Sequence, residues 1–415
     1  MNEIDNAAER LQIAEQALIP VFAEIDAQVK RNLRRVLAAF RRDRVGPHHF
    51  AGVNGYGHDD LGRQVLDRVF AAVMGAAAAA VRVQFVSGTH AIAAALFGCL
   101  RPGDEMLAVA GPPYDTLEET IGLRGQGQGS LIEFGITYRQ LELTAAGTID
   151  WPTLANAVTE RTRLVFIQRS CGYSWRPALA IADIEKIVQL TKQQNPATLC
   201  LVDNCYGEFV EDREPPAVGA DLIAGSLIKN PGGTLAPAGG YIAGKTDLVE
   251  AAACRLTAPG IGRSGGATFD QNRLLFQGLF LAPQMVGEAL KGNHLVATLF
   301  ERLGYAVNPL PLAPRRDTIQ AIQLGSPDKL IAFCRAIQQH SPIGSYLDPT
   351  PAITPGYESK LVMAGGTFID GSTAEFSADG PLRPPYIAFC QGGTHWSHIA
   401  IALEAAIEAV GLAED

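Results

Sequence analysis

Apolar positions recur along this chain in two rhythms. From Ala7 to Arg42 they return every three or four residues, at Leu11, Ala14, Leu18 and Phe22. That period predicts a helix, and Pro20 is expected to break or kink it. A glycine-rich loop, Gly52–Arg63, follows. From Val65 onward, short apolar runs alternate with helical stretches. The predicted strands are Val83–Val86, Glu105–Ala110, Ile136–Leu143, Leu164–Gln168, Thr198–Val202, Leu222–Ser226 and Gly240–Ala243. The predicted helices are Val65–Met74, Thr89–Leu100, a stretch around Leu117–Leu123, one starting near Trp151, and Ile181–Gln193. The alanine-rich Phe70–Val81 reads as a helix end running into a loop.

Strands apolar on both faces and separated by helices predict an α/β fold with a mainly parallel sheet. A long helix over Gln271–Phe300 is expected to leave that domain. The remainder has strand-like Thr318–Leu324 and Tyr386–Cys390, with helices Pro327–Gln339 and His398–Val410. It predicts a smaller α+β domain. The expected division is 1–50 for an N-terminal helical segment, 51–290 for a large domain and 291–415 for a small one.

Length agrees with that division, since 415 residues exceed what one core usually holds, about 250–300. A net charge of -9, with basic runs only at Arg34-Arg35 and Arg41–Arg44, argues against a nucleic-acid partner. Met1–Asp5 is polar and acidic, unlike a secretory signal, and Phe70–Val81 is too short to cross a bilayer. The seven cysteines lack metal-ligand spacing and point to a reducing, cytoplasmic setting, with Cys99, Cys200, Cys334 and Cys390 in the core.

The candidate chemistry lies where apolar runs end. Asp203 closes the run Leu199–Val202, and Lys229 closes the next, Ile223–Ile228. Each alone is an ordinary strand-end residue. Together they share a topological place, outside the carboxyl ends of the strands, where α/β sheets bind ligands. A third element is Phe85-Val-Ser87-Gly88-Thr89-His90. There a strand turns into a helix that Ser87 or Thr89 can cap, leaving free N–H groups for an anion. Ser226 can add a hydroxyl to the same anion, and Tyr114 lies where a ring could stack. A lysine amine, a carboxylate, an anion cup and an aromatic plate in this order suit pyridoxal 5'-phosphate (PLP). The lysine forms a Schiff base with its aldehyde, and the carboxylate keeps its pyridine nitrogen protonated.

These segments, together with Val202–Phe209, Ser226–Gly233 and Gly239–Gly244, resemble fold-type-I PLP enzymes. More narrowly they are similar to the cystathionine-lyase-like, methionine gamma-lyase family proteins labelled as aluminium-resistance proteins. The likeness runs from about Gly52 to Gly393. It implies a carbon–sulfur lyase acting by β- or γ-elimination on a sulfur-containing amino acid. Lys229 matches the Schiff-base lysine, Asp203 the pyridinium partner, Tyr114 the stacking ring, and Ser87, Gly88, Thr89 and Ser226 the phosphate cup. It also implies a homodimer or homotetramer with shared sites. Tyr56, with Arg63 as a weaker candidate, would reach the phosphate of a neighbouring subunit. Arg383 resembles the arginine that grips a substrate carboxylate, and Arg169 is a second candidate. Two departures stand out. Arg169–Arg176 replaces an Asn-Pro element, and Ile228 replaces a hydroxyl residue before the lysine.

Two motifs point elsewhere. Gly239–Thr246 spells a nucleotide phosphate loop and Gly260–Gly265 a dinucleotide fingerprint, but neither has the strand and helix it needs. The histidines His48, His49, His90, His395 and His398 show no confirmed metal spacing. The rival readings are another PLP reaction, such as transamination or aldol cleavage, and a nucleotide-binding or scaffold protein without catalysis.

Overall fold

The first helix, α1 (Ala7–Arg42), runs unbroken through Pro20. This corrects the expected break. A proline removes one backbone donor, but burial on both sides of it carries the helix through. Ala7, Leu11, Ala14 and Leu18 pack into one core, while Ile25, Val36 and Ala39 pack into another. The computed structural model describes residues 7–412 except 355, 356 and 358. The reading of residues 1–5 as no signal peptide lies outside the described residues.

Next come α2 (Leu61–Met74), β1 (Ala78–Arg82), α3 (Gly88–Cys99), β2 (Glu105–Ala108), α4 (Asp115–Ile121) and β3 (Thr137–Gln140). Then follow α5 (Trp151–Leu154), β4 (Thr162–Gln168), α6 (Ile181–Gln194), β5 (Leu199–Asp203) and β6 (Leu222–Ser226). The first sheet ends with β7 (Gly240–Gly244) and is followed by α7 (Thr246–Leu256). Its order is β1-β7-β6-β5-β4-β2-β3. All neighbours are parallel except β7, which runs against both β1 and β6. Alternate residues feed cores on opposite faces: Val165 and Ile167 on one, Leu164 and Phe166 on the other. The mainly parallel α/β fold is thus as expected.

One strand was misplaced. β1 is the alanine-rich Ala78–Arg82, not Val83–Val86. Alanine has little intrinsic strand preference, so the run read as a helix tail. Gly75, with φ of 69°, ends α2 in a left-handed turn and releases the chain into β1.

Helix α8 (Asn272–Arg302) joins the two halves. Up to Leu290 it packs into the first core, and from Leu295 into the second. Beyond it lie β8 (Ala306–Asn308), β9 (Ile319–Gln323), α9 (Pro327–Gln339), β10 (Leu361–Gly365), β11 (Ser377–Pro381), β12 (Ile387–Gln391) and α10 (Trp396–Leu412). The five strands form an antiparallel sheet, β10-β11-β12-β9-β8. Ile322, Ala378, Ala388 and Cys390 share a core with α9 and α10 residues. The opposite face carries Ile319, Ala321, Ile387 and Phe389, which meet Cys171, Tyr173 and Tyr206 of the first domain. Among the described residues no helix is long and apolar enough to cross a membrane.

Candidate functional site

The carboxyl edge of the parallel strands gathers most of the expected residues. Asp203 ends β5 and is buried, accepting the Cys205 N–H at 3.1 Å. Lys229 follows β6, and its Nζ lies 3.9 Å from the centroid of the Tyr206 ring. Tyr206 holds a left-handed φ of 68°, which turns its ring back toward the lysine. Burial disfavours charge on Lys229, yet Tyr206, Cys205 and Asp203 around it outweigh that and hold its ammonium above the ordinary range. Burial pushes the Asp203 carboxyl up, against the Cys205 N–H and the charges of Lys229 and Arg176. A buried carboxylate so placed favours a cationic partner.

Helix α3 begins beside them. Ser87, rather than Thr89, is its N-cap and accepts the His90 N–H at 3.1 Å. Thr89 is left to accept a hydrogen bond from the Tyr114 hydroxyl at 3.0 Å. Tyr114 is itself fixed by its backbone N–H, which donates to Gln168 Oε1 at 2.8 Å. Burial, then the nearby Asp203, raises the Tyr114 phenol well above its usual range. Gly88 faces β6: a Cβ there would meet Ser226 Cβ at 3.1 Å and Cys205 Sγ at 3.3 Å. The absence of a side chain leaves the helix N-terminus and the buried Ser226 as one cradle. Its Ser-Gly-Thr backbone and hydroxyls match the donor set a phosphate takes. With Lys229, Asp203 and Tyr114 adjoining, the residues present fit PLP.

Four expected residues lie apart from this cluster. Arg169 is a correction. It is fully buried and spends its guanidinium on Asn204 at 2.8 Å and Glu211 at 3.0 Å, with Glu214 at 3.6 Å. An arginine committed to two carboxylates inside the fold has no free face for a substrate. Arg383 is exposed in the turn between β11 and β12, beyond the strand end at Pro381. Tyr56 is 84% exposed in the loop before α2. Arg63, the weaker candidate beside it, is buried and donates to the carbonyls of Gly57 at 2.6 Å, Ser264 at 2.8 Å and Gly266. It braces the loop that carries Tyr56 instead of reaching an anion.

One departure noted in sequence, the Arg169–Arg176 stretch, also resolves. Arg176 caps the carbonyls of Gln168, at 3.0 Å, and Ser170, closing the Arg169–Arg176 turn. The nucleotide-loop decoy fails because Gly240–Gly244 is strand β7. His398 is engaged by the carbonyls of His340 and Glu375 at 2.7 and 3.1 Å.

Several site residues escaped sequence reasoning. Tyr206 stood in the quoted Val202–Phe209 segment but received no role; its spacing from Asp203 was the available signal. Tyr173, Asp379 and Gln391 come from a loop and from the small sheet. Asp379 is buried, accepts Gln391 Nε2 at 3.0 Å, and is close enough to Lys229 for their charges to interact.

A two-part chain of this kind, with a lysine and an acid at the edge of a seven-stranded sheet, has the architecture of the fold-type-I PLP enzymes. Comparison with known proteins narrows that class. The chain belongs to the methionine gamma-lyase family, whose model matches residues 7–411. It is 48% identical over 391 residues to YnbB of Bacillus subtilis (strain 168), covering 94% of this chain and 93% of that protein. A solved structure from Listeria innocua is 47% identical with a TM-score of 0.94, covering 98% of this chain and 99% of that one. Another, from Clostridium novyi NT, is described as a carbon–sulfur lyase involved in aluminium resistance. It is 45% identical with a TM-score of 0.93, covering 97% of this chain and 96% of that one.

Proposed function

We propose that this chain is a PLP-dependent lyase that cleaves the side-chain carbon–sulfur bond of a sulfur-containing amino acid. The observation that carries the reading is the meeting of Lys229, Asp203 and the bare N-terminus of α3 at one sheet edge. Family membership and the description of the Clostridium novyi relative support the reaction class. When bound, the cofactor supplies an electron sink for negative charge at the substrate Cα. Once it has given up its own proton, the Lys229 amine would take the proton from that carbon. Asp203 would pair with the pyridine nitrogen and keep it protonated. Ser87, Gly88, Thr89 and Ser226 would hold the phosphate, and Tyr114, tethered through Thr89, would supply the ring that stacks on the cofactor. The net reaction turns the amino acid and water into a thiol, ammonia and a 2-oxo acid.

We infer further that two copies share each site. Tyr56 is far more exposed than a large aromatic usually is, and Val86, at 85%, is exposed beside Ser87. With Arg63 bracing its loop, Tyr56 is held out from its own chain, as a residue serving a neighbour would be.

Two measurements test the proposal. Purified protein mixed with PLP should show the visible absorbance of a lysine-bound cofactor, and Lys229→Ala should lose it. Incubation with thioether amino acids should release thiol, ammonia and 2-oxo acid in equal amounts without an amino acceptor. Product that forms only when an amino acceptor is added would instead identify a transaminase.

A further inference from the structure

The wall opposite Lys229 is built from the inward face of the small sheet. Strand periodicity puts alternate residues on one face. In β11 these are Ser377 and Asp379, and in β12 their cross-strand partners are Gln391 and Phe389. Phe389 belongs to the apolar group that meets Tyr173 and Tyr206 of the large domain. Ser377, Asp379 and Gln391 therefore face the same way, toward the lysine. All three are buried.

Their hydrogen bonding is lopsided. Gln391 donates its amide to Asp379 Oδ1, which turns Gln391 Oε1 outward. Among the described residues, Gln391 Oε1 and Ser377 Oγ are buried with no hydrogen-bond partner, and no arginine or lysine is salt-bridged to Asp379. Asp379 thus accepts from Gln391 and Tyr173, while Gln391 Oε1 and Ser377 Oγ beside it still lack a partner. Tyr173 lies 5.2 Å from Phe389 and 5.8 Å from Tyr357, ring to ring. Aromatic faces around a carboxylate favour a cation. A carboxylate docking here would instead meet Asp379.

We propose that Asp379, with Gln391 and Ser377, forms a specificity-determining subsite that accepts a second ammonium group, at the far end of the substrate. The inference rests on the lyase reading and narrows its substrate class to thioether amino acids that carry a distal amine. An ammonium brings three donors to Asp379, Gln391 Oε1 and Ser377 Oγ. The titratable groups facing Asp379 are Tyr173, Tyr206, Tyr357 and Lys229. Burial lifts the Asp379 carboxyl to about 6, against hydrogen bonds from Tyr173 and Gln391 and the charge of Lys229, which leaves it ionised at neutral pH.

The test compares S-(2-aminoethyl)-L-cysteine with S-propyl-L-cysteine, which match in length and differ in charge. Asp379→Asn preserves shape and removes the charge. It should lower kcat/KM for the aminoethyl substrate by roughly 10- to 100-fold, the scale of a lost hydrogen bond to a charged group. The propyl substrate should change by less than about 3-fold on the same scale. An equal fall for both substrates, or an unchanged ratio, overturns the subsite. Wild-type protein that releases thiol from neither of these nor from their homocysteine counterparts would defeat the lyase reading on its own. The subsite is then judged by binding of L-lysine against L-norleucine to the PLP-loaded protein, followed by cofactor absorbance. A lysine preference that Asp379→Asn abolishes supports it, and equal binding of the two overturns it.

Discussion

Replacing Glu208 with glutamine should flatten a pH dependence that the wild-type chain carries in its core. Glu208 is fully buried; its Oε1 accepts the Tyr241 hydroxyl at 2.6 Å, while Oε2 has no partner. Its backbone carbonyl accepts Asn230 Nδ2 at 3.1 Å, so it also steadies the residue after Lys229. Burial lifts its carboxyl from 4.5 to about 8, with Glu214 adding to the rise and the Tyr241 hydrogen bond and Arg169 opposing it. Below 4.5 the folded and unfolded chains both hold the proton, and the stabilising contribution is whole. Between 4.5 and about 8 only the folded chain holds it, so stability falls with rising pH. At about 1.4 kcal/mol per pH unit the loss approaches roughly 5 kcal/mol, an upper figure, and stops once both states are ionised. Glutamine resembles the protonated acid and carries no such loss. Urea unfolding of both proteins from pH 5 to pH 8 measures the effect, and their difference cancels the response of other groups. The variant should gain roughly 3.5 kcal/mol relative to wild type across that span, the part of the whole loss that falls between pH 5 and pH 8. A difference constant to within about 0.5 kcal/mol, with m unchanged, would refute a buried proton on Glu208.

Two further changes probe the site's frame. Arg169→Ala removes the bonds to Asn204 and Glu211 while Glu214 keeps Arg35, Asn204 and the Phe209 N–H, and it should cost about 1.5–3 kcal/mol in denaturant unfolding; a fold of wild-type stability with only a raised KM would return Arg169 to the substrate. Tyr56→Ala removes an exposed ring and should change the chain's own stability by no more than about 0.5 kcal/mol. The same change should abolish activity, mixing the variant with Lys229→Ala should regenerate it in hybrid oligomers, and no recovery after subunit exchange would sink the shared site.

What the sequence disclosed follows from where order is local. Asp203, Lys229, Ser87 and Tyr114 each follow an apolar run or a strand-to-helix turn, so their shared edge could be inferred from alternation alone. Arg169 has the same kind of position, yet its fate depends on Glu211, Glu214 and Asn204, which only folding brings to it. Asp379 lies in Ser377-Ala-Asp-Gly-Pro381, a strand whose glycine and proline give no strand signal. The wall facing the lysine therefore stayed hidden, because it is made by pairing across the small sheet. Pro20 shows the converse: a local break signal was overridden by burial on two cores.

The reversed direction of β7 bears on how firmly Lys229 is held. The chain leaves the sheet after β6, passes through the lysine, and re-enters beside its own exit, with the Leu227 N–H donating to the Gly239 carbonyl at 3.0 Å. The lysine thus hangs on a closed loop rather than on a long connection to a distant element. Hydrogen exchange at the Leu227 amide requires parting β6 from β7, two strands buried along their whole length. The lysine's anchorage therefore opens with the sheet itself and not by loosening of a surface loop.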